Sequence, residues 1–449
     1  MKTLTTLQFV NHASILVRHG GISLLSDPWY QGDAFHKGWN LIHEFSDEEI
    51  SDLLDNVTHI WISHEHPDHF SVLFFKKFGD KIKECGIVIL FQYCKDQRVH
   101  RFLSQSGFKT QILAEDNWTN LSKEFEVLCF KKGFYDSGLA IRTSDKTIVN
   151  LNDCQFEDDL ACSDLSKITG ECDILLTQFS YASWKGGMKN VAWRQLAAKE
   201  KIDIMKKQAF HLKPKVIIPF ASFMYFSNKD NFYLNDAHNS PSDIIKGFED
   251  TNFKLKILRP FETICDLEMG DDNFKSIEFW NDASQLLASK KLNEYEIVPI
   301  EQLQNTFLLY KERVFKNNAR WFMALARYLS PLPAFRPVNI KLVDLDVCFK
   351  FDLFGKSLIE TKSDPDISMS SASLSFLMSN TFGFDTLTVN GCFDEERKSG
   401  FSRLARSFAI ENLNNLGIEF KPSIVLNFRF IIMFVSRLRM VSKKLGLAK

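Results

Sequence analysis

The stretch Ile62-Ser-His-Glu-His-Pro-Asp-His-Phe-Ser71 places three histidines and an aspartate within six residues. The apolar run 57–62 before it predicts a buried strand, and residues 71–78 after it predict a helix. Alternate residues of an extended segment point the same way, so His64 and His66 can face one cation while Glu65 points elsewhere. The stretch therefore predicts a metal site between a strand and a helix.

Pro67 sets the path of the backbone after the two histidines. Because proline prevents a helix from running through the motif, Asp68 and His69 can turn toward a second cation beside the first. Two cations about 3.5–4 Å apart clamp a substrate oxygen and acidify a bridging water. The spacing thus predicts a centre for two divalent metal ions.

Composition limits the class of protein. The 449 residues suffice for two or three domains, and 55 Lys and Arg nearly balance 56 Asp and Glu, so no global field favours nucleic acid, and we expect none as a partner. The nine cysteines contain no C-x-x-C pair, and the N-terminal ten residues resemble a first strand more than a signal peptide. Reduced thiols and a cytoplasmic location are the prediction.

The chain is predicted to contain four parts. Residues 1–270 alternate β-rich runs with amphipathic segments, including a long helix over about 191–212, and predict an α+β catalytic domain. Residues 271–330 predict a helical connector, and the Pro-rich break at 330–337 precedes a small α+β domain over 331–420. Residues 421–449 predict a basic, apolar C-terminal helix, either packed on its own domain or in peripheral contact with a membrane or partner.

The motif His64-Glu-His-Pro-Asp-His69 resembles the H-x-H-x-D-H signature of the metallo-β-lactamase superfamily. Asn11-His-Ala-Ser-Ile-Leu-Val17 and Leu25-Ser-Asp-Pro-Trp29 are similar to its opening strands, and Asn152-Asp-Cys154 to its bridging-carboxylate segment. The resemblance implies the αββα sandwich of that fold class. It further implies that Asp153 bridges both metals and that Asp27 orients a ligand imidazole.

A closer resemblance is to the non-Rieske part of the CMP-N-acetylneuraminate hydroxylase family. It is carried by the order of three segments: Ser26-Asp-Pro-Trp-Tyr-Gln-Gly-Asp-Ala-Phe35 with Gly38-Trp39, Ser180-Tyr-Ala-Ser-Trp184, and Pro219-Phe-Ala-Ser-Phe-Met-Tyr-Phe226.

Two superfamily histidines are missing here. Lys131 and Lys132 occupy the region of the third histidine of the first site, and Phe220-Ala-Ser222 stands where the last histidine belongs. His238 is the nearest substitute for the latter, and Asp136, which we expect to be an ordinary loop acid, is a weaker candidate for the former. His12 is expected to be a core histidine, and the alternative is that it supports the site from the first strand.

The expected metal ligands are therefore His64, His66, Asp68, His69, Asp153 and His238, with Asp68 also catalytic. Fewer imidazoles and more carboxylates favour iron, although zinc also binds such sets. One hypothesis is iron-dependent hydroxylation of a small polar metabolite such as a nucleotide sugar, with electrons from an external reductase or ferredoxin. The alternatives are a metal-dependent hydrolase of a phosphodiester, ester or lactone, and a non-catalytic scaffold.

Residues 364–390 faintly resemble sterol-carrier-like domains, and a dimerisation or lid domain is an equal alternative.

Overall fold

A computed structural model describes residues 4–94, 97–133, 135–154, 156–265, 273–329 and 334–426. The chain divides into two compact units. Unit 1 comprises Met1–Lys185, Asn190–Ser227 and Phe232–Leu292, and unit 2 comprises Gly186–Lys189, Asn228–Asn231 and Asn293–Lys449.

The described residues of unit 1 form short strands and mostly short helices. The strands are β1 (Thr6–Asn11), β2 (Ser14–His19), β3 (Ile22–Ser26), β4 (Trp39–Leu41), β5 (His59–Ile62), β6 (Val88–Gln92), β7 (Lys109–Leu113), β8 (Trp118–Ser122), β9 (Phe125–Lys132), β10 (Asp136–Thr143), β11 (Thr147–Asn152), β12 (Ile174–Gln178), β13 (Val216–Phe220), β14 (Met224–Phe226) and β15 (Thr263–Ile264). The helices are α1 (Asp47–Leu54), α2 (Val72–Glu84), α3 (Arg98–Gln105), α4 (Asp159–Thr169), α5 (Val191–Leu212), α6 (Pro241–Phe248) and α7 (Phe274–Gln285).

Two large sheets make up most of unit 1. Sheet 1 has the strand order β15-β1-β2-β3-β5-β6-β7, and sheet 2 has the order β13-β12-β11-β10-β9-β8. Strands β3, β5, β6 and β7 run parallel to one another, as do β11, β12 and β13. Polar residues at the ends of these parallel strands therefore meet at common sheet edges.

Alternating side chains give sheet 1 two buried faces. Trp61 belongs to a core shared with sheet 2, whereas its neighbours Ile60 and Ile62 pack with side chains of α1, α2 and α3. Side chains of α4 and α5 pack in the same apolar cluster, which includes the consecutive β12 residues 174–176 and therefore covers both faces of sheet 2. Because strand side chains alternate between faces, one short apolar run serves both cores. The order helix, sheet, sheet, helix confirms the predicted layered α+β fold.

Several predicted elements appear with small shifts in their bounds. Helix α5 has the predicted bounds, and the helix after the histidine motif begins at Val72, where the Ser71 side chain accepts a hydrogen bond from the backbone N–H of Phe74. Strand β10 covers Asp136–Thr143.

The described part of unit 2 has its own sheet and helices. In chain order these are α8 (Ile300–Asn317), α9 (Arg320–Leu329), β16 (Val338–Leu342), β17 (Val347–Phe351), β18 (Ile359–Glu360), β19 (Ile367–Met369), α10 (Ser371–Ser379), α11 (Gly383–Asn390), β20 (Phe393–Glu395), α12 (Gly400–Phe408) and α13 (Ile410–Asn415). The strands form one sheet in the order β18-β17-β16-β19-β20.

Of the predicted connector over 271–330, α7 lies in unit 1 and α8 and α9 lie in unit 2. Of the predicted C-terminal helix over 421–449, the described residues include a 3-10 turn over Pro422–Leu426, and residues 427–449 lie outside the described residues. The sterol-carrier likeness stays a prediction.

No disulfide joins any of the nine cysteines, all of which the structure describes. Among the residues that the structure describes, no helix combines the length and apolar character needed to cross a bilayer.

Candidate metal centre

The histidine motif lies where the parallel strands of the two sheets end. In sheet 1, Asp27 follows β3, Ser63 follows β5, and Gln92 is the last residue of β6. In sheet 2, Asn152 is the last residue of β11 and Asp153 follows it. The carboxyl ends of parallel strands are the usual place for binding residues in such sheets. Here that edge gathers several acidic and imidazole side chains of unit 1.

Four residues at these strand ends adopt left-handed backbone conformations. The φ angles are 31° at His12, 36° at Asp27, 56° at Asn152 and 48° at Ala221. Such angles are costly for residues with a side chain and persist only where the surrounding structure holds them. The backbone N–H of Ala221 donates to the carbonyl of His12 at 2.9 Å, which ties the two sheets together at this point.

Three overlapping groups of side chains could each hold a cation. Their nitrogen and oxygen atoms lie within 4.8 Å of one another in the sets His64, His66 and Asp136; His64, His69 and Asp153; and His12, Asp68 and His69. Because His64 and His69 each belong to two sets, the groups form one continuous cluster. This arrangement is consistent with a centre for two metals.

Asp153 lies between the two histidines that the sets share. Its Oδ2 is 3.6 Å from Nε2 of His64 and 3.6 Å from Nε2 of His69. This is the place expected for a carboxylate that bridges two cations.

The remaining distances define two ends of the cluster. At one end, His64 Nε2 lies 2.7 Å from His66 Nδ1 and 3.8 Å from Asp136 Oδ1. At the other end, Asp68 Oδ2 lies 3.1 Å from His69 Nε2 and 3.4 Å from His12 Nε2. Each end thus presents two imidazoles and one carboxylate.

A buried hydrogen-bond network orients the imidazoles. Asp27 accepts from the Ser63 backbone N–H at 2.8 Å and from Asn152 Nδ2 at 2.5 Å, and its Oδ2 lies 3.1 Å from His69 Nδ1. Ser63 Oγ lies 2.9 Å from His64 Nδ1. With Nδ1 engaged in this way, His64 and His69 both direct Nε2 toward Asp153.

The charges of the cluster are strongly coupled. Burial alone lowers the pKa of His69, but the carboxylates of Asp68, Asp153 and Asp27 outweigh it and hold that pKa well above its usual value. Burial raises the pKa of Asp68, yet His69 and His12 hold it well below its usual value. Burial also lowers the pKa of His64. Asp68 is therefore ionised and His64 is neutral at neutral pH, the forms that bind metals.

Two buried carboxylate oxygens without hydrogen-bond donors among the described residues indicate whether a cation fits this cluster. Asp68 Oδ1 and Asp153 Oδ1 are both buried and accept no hydrogen bond from any described residue. A buried carboxylate oxygen without a donor is costly unless a cation or another donor faces it. The donor set and these two oxygens fit a pair of metal ions.

The cluster contains five of the six predicted ligands, namely His64, His66, Asp68, His69 and Asp153. Glu65 instead lies 3.2 Å from Arg98, as expected for a residue that points away. Whether the five bind metal stays a prediction.

His238 belongs to none of the three donor sets found among the described residues. Its ring packs edge-on against Tyr181 with the centroids 5.5 Å apart, and its Nε2 is buried without a hydrogen-bond partner in the described chain. Burial, together with the charge of His12, lowers the pKa of His238 to about 4. Its role as a ligand stays a prediction.

Two residues given little weight from sequence lie inside the cluster. The sequence predicts His12 in the core, but the turn after β1 directs it at Asp68. The sequence predicts Asp136 as a loop acid, but it is the first residue of β10 and lies opposite Lys132 of β9. The sequence signal that points to Asp136 is the absence of the superfamily's third histidine of the first site. For Asn152, which precedes the predicted bridging residue Asp153, the sequence signal is an Asn-Asp pair at the end of a strand.

The fold is identified by two features. Two facing sheets lie between outer helices, and this cluster lies at the ends of their parallel strands. The chain has a metallo-β-lactamase fold. No family model matches the sequence. The chain is distantly homologous to CMP-N-acetylneuraminic acid hydroxylases, as the sequence resemblance predicted.

The homology covers about half of this chain. The hydroxylase of Danio rerio is 22% identical over 257 residues, which are 53% of this chain and 42% of that protein. The human relative, described as an inactive hydroxylase, is 21% identical over 259 residues, which are 53% of this chain and 49% of that protein. The metallo-β-lactamase-fold chain thus spans less than half the length of these curated relatives.

Among solved structures, CmlA, a diiron β-hydroxylase from Streptomyces venezuelae, has a TM-score of 0.43 and 13% identity, covering 59% of this chain and 55% of its own. A possible metal-dependent hydrolase from Veillonella parvula has a TM-score of 0.43 and 14% identity, covering 59% of this chain and 100% of its own.

Proposed function

We propose that this chain is a metal-dependent oxygenase that hydroxylates a polar metabolite such as a nucleotide sugar. The observation that carries the proposal is the composition of the donor sets, since each contains two histidines and one aspartate. Two histidines and one carboxylate with open positions are the ligand set of non-haem iron(II) oxygenases. The distant homology to hydroxylases supports the same reaction class.

Asp136 distinguishes this set from a histidine-rich zinc site. It lies 3.8 Å from His64 Nε2, at the end of the cluster where the superfamily usually supplies a third histidine. A carboxylate there adds negative charge and a hard oxygen donor, which suits iron better than a third imidazole does. In this proposal, one cation would be held by His64, His66 and Asp136. The other would be held by Asp68, His69 and His12, and Asp153 would contribute to both sites.

When bound, a pair of iron ions supplies redox chemistry for oxygen activation, and a pair of zinc ions supplies Lewis acidity alone. The chain's own residues prepare the site: Asp27 holds His69, Ser63 holds His64, and Asp68 stays ionised, as a metal ligand must be. The sequence contains none of the paired Cys and His motifs that bind a Rieske cluster. In this proposal, an external reductase or ferredoxin delivers the electrons.

Elemental analysis combined with electron paramagnetic resonance tests the proposal on full-length protein purified without added metal. We expect about two irons per chain and a mixed-valent signal on partial reduction. His64→Ala and Asp153→Ala are expected to lose this signal, whereas Asp33→Ala, which removes an exposed carboxylate outside the cluster, is expected to retain it.

Zinc or manganese without a redox signal would contradict the oxygenase and favour hydrolysis of a phosphodiester, ester or lactone. Protein that contains no metal and takes up none on addition would contradict both reactions and favour the scaffold.

A further inference from the structure

A cavity of about 400 Å³ opens beside helix α5 within unit 1. Three lysines line it, Lys185, Lys201 and Lys207, together with Tyr181 and the acidic residues Glu157, Glu200 and Asp203. The three acidic side chains are exposed, whereas the lysines are partly buried. The cavity thus places ammonium groups in its interior and carboxylates where water screens them.

The lysines differ in what they contact. Lys207 is satisfied, because its Nζ donates to the Glu157 carbonyl at 2.9 Å and lies 4.0 Å from the Asp159 carboxylate. Lys201 Nζ donates to the neutral Gln178 side chain at 2.7 Å. Neither Lys185 nor Lys201 has a carboxylate within 4.0 Å among the described residues. These two ammonium groups are therefore not neutralised at contact distance.

Burial makes the two ammonium groups of Lys185 and Lys201 energetically costly, because no carboxylate of a described residue lies at contact distance. Burial lowers the pKa of Lys201 and that of Lys185, although Glu157 acts on both in the opposite direction. A partly buried ammonium that lacks a carboxylate at contact distance gains more from an incoming anion than an exposed lysine does, because water competes less with the anion.

The cavity adjoins the metal centre. The charges of Asp153 and Asp136 act on Lys201, so its ammonium lies within electrostatic range of the cluster. Tyr181, which lines the cavity, packs against His238. Gln178, the partner of Lys201, is the last residue of β12 and lies at the same sheet edge as Asn152. An anion bound to Lys201 would thus lie within electrostatic range of the cluster.

We propose that this cavity is an anion subsite in which Lys185 and Lys201 together bind a phosphate or carboxylate group of the substrate. The substrate class is then an anionic metabolite, with its charged group in the cavity and its reacting carbon toward the metals. The assignment to substrate rests on the proposed function, but the binding of an anion by the two lysines does not.

Isothermal titration of the full chain, with metals removed by a chelator, tests the subsite with inorganic phosphate and with acetate. Removing the metals ensures that neither probe binds to a cation. We expect Lys185→Met and Lys201→Met each to weaken binding at least about tenfold, since each removes a charge-assisted hydrogen bond. Lys207→Met is the matched control in the same cavity and is expected to change the affinity by less than about twofold.

A second pair of variants separates binding from folding. Lys185→Arg and Lys201→Arg keep the charge and are expected to retain most of the affinity. Lys185→Met is expected to melt at the temperature of the unmodified chain or above it, because it removes a partly buried charge that no carboxylate of a described residue neutralises at contact distance.

Tighter binding of phosphate assigns the subsite to a phosphate group, and tighter binding of acetate assigns it to a carboxylate. The proposal is overturned if neither probe binds, or if the methionine variants bind as tightly as the unmodified chain. Iron with a redox signal but no anion binding would reject the subsite and leave the oxygenase standing.

Discussion

Asp27 shows how one buried carboxylate organises the metal centre. It accepts from Ser63 and Asn152 and faces His69 Nδ1, so it links β3, β5 and β11 to the histidine motif. The sequence leaves it undecided between a turn residue before Pro28 and a carboxylate that orients a ligand. The three contacts favour the second interpretation.

Asp27→Asn is expected to lower the affinity of the metal site that contains His69 about ten- to a hundredfold. The amide has one oxygen, so it cannot accept from the Ser63 N–H and also present oxygen to Asn152 and His69. The imidazole then loses its fixed orientation. Competition with a chromophoric chelator measures the affinity, and Asp33→Asn, at an exposed position, is the control. An unchanged affinity would mean that Asp27 only shapes the turn.

Asp136→His is expected to shift the bound metal from iron toward zinc. The substitution replaces the carboxylate 3.8 Å from His64 with an imidazole, which restores a three-histidine set of the kind that binds zinc. Elemental analysis of protein grown with both metals measures the iron-to-zinc ratio. If the ratio matched that of the unmodified chain, Asp136 would not be a ligand.

At the level of single elements, strand β10 depends on one glycine. Gly138 lies opposite Phe130 of β9, and a Cβ at this position would meet the Phe130 ring and the backbone oxygen of Asn150, the latter at 2.7 Å. The ring can move, but the oxygen belongs to β11 and is fixed by sheet pairing. Glycine therefore allows three neighbouring strands to pack closely beside Asp136.

Gly138→Ala is expected to lower the free energy of unfolding by about 1–3 kcal/mol through this overpacking. Chemical denaturation measures the change. Asn120→Ala, at an exposed position of β8 in the same sheet, is expected to change it by less than about 0.5 kcal/mol. Equal effects of the two substitutions would show that the sheet adjusts to the added methyl group.

The same strand shows where sequence reasoning stops. Asp136-Ser-Gly138 has the composition of a turn, which predicts a loop, but pairing along all eight residues with β9 overrides that preference. The alternation of the Ile60, Trp61 and Ile62 side chains between the two faces of sheet 1 can be predicted, because it depends only on neighbours in sequence. The contact of Asp27 with Asn152 joins residues 125 positions apart, and no local pattern reports it.

At the scale of the whole molecule, every residue of the candidate centre lies in unit 1. This includes His12 near the N-terminus and Asp136 and Asp153 in the middle, and His238 outside the cluster also lies in unit 1. A metal that binds these residues therefore stabilises unit 1 and has no ligand in the described part of unit 2.

Removing the metal is expected to lower the melting temperature of unit 1. Metal at a hundredfold excess over its dissociation constant stabilises a protein by about 2.7 kcal/mol. Scanning calorimetry of metal-loaded and chelator-treated protein measures the difference, and Asp153→Ala is expected to reduce or abolish it. A difference of equal size in Asp153→Ala would place the stabilising metal elsewhere.

The left-handed residues at the strand ends affect how this protein would respond to selection. Glycine adopts φ angles such as the 31° of His12 and the 48° of Ala221 without the penalty that a side chain incurs. A library screened for heat resistance alone is therefore expected to enrich glycine at these positions. At His12 that gain would delete an imidazole of the cluster. Selection of thermostable variants of this protein thus requires a simultaneous screen for metal content. Thermal stability and metal binding favour different residues at position 12.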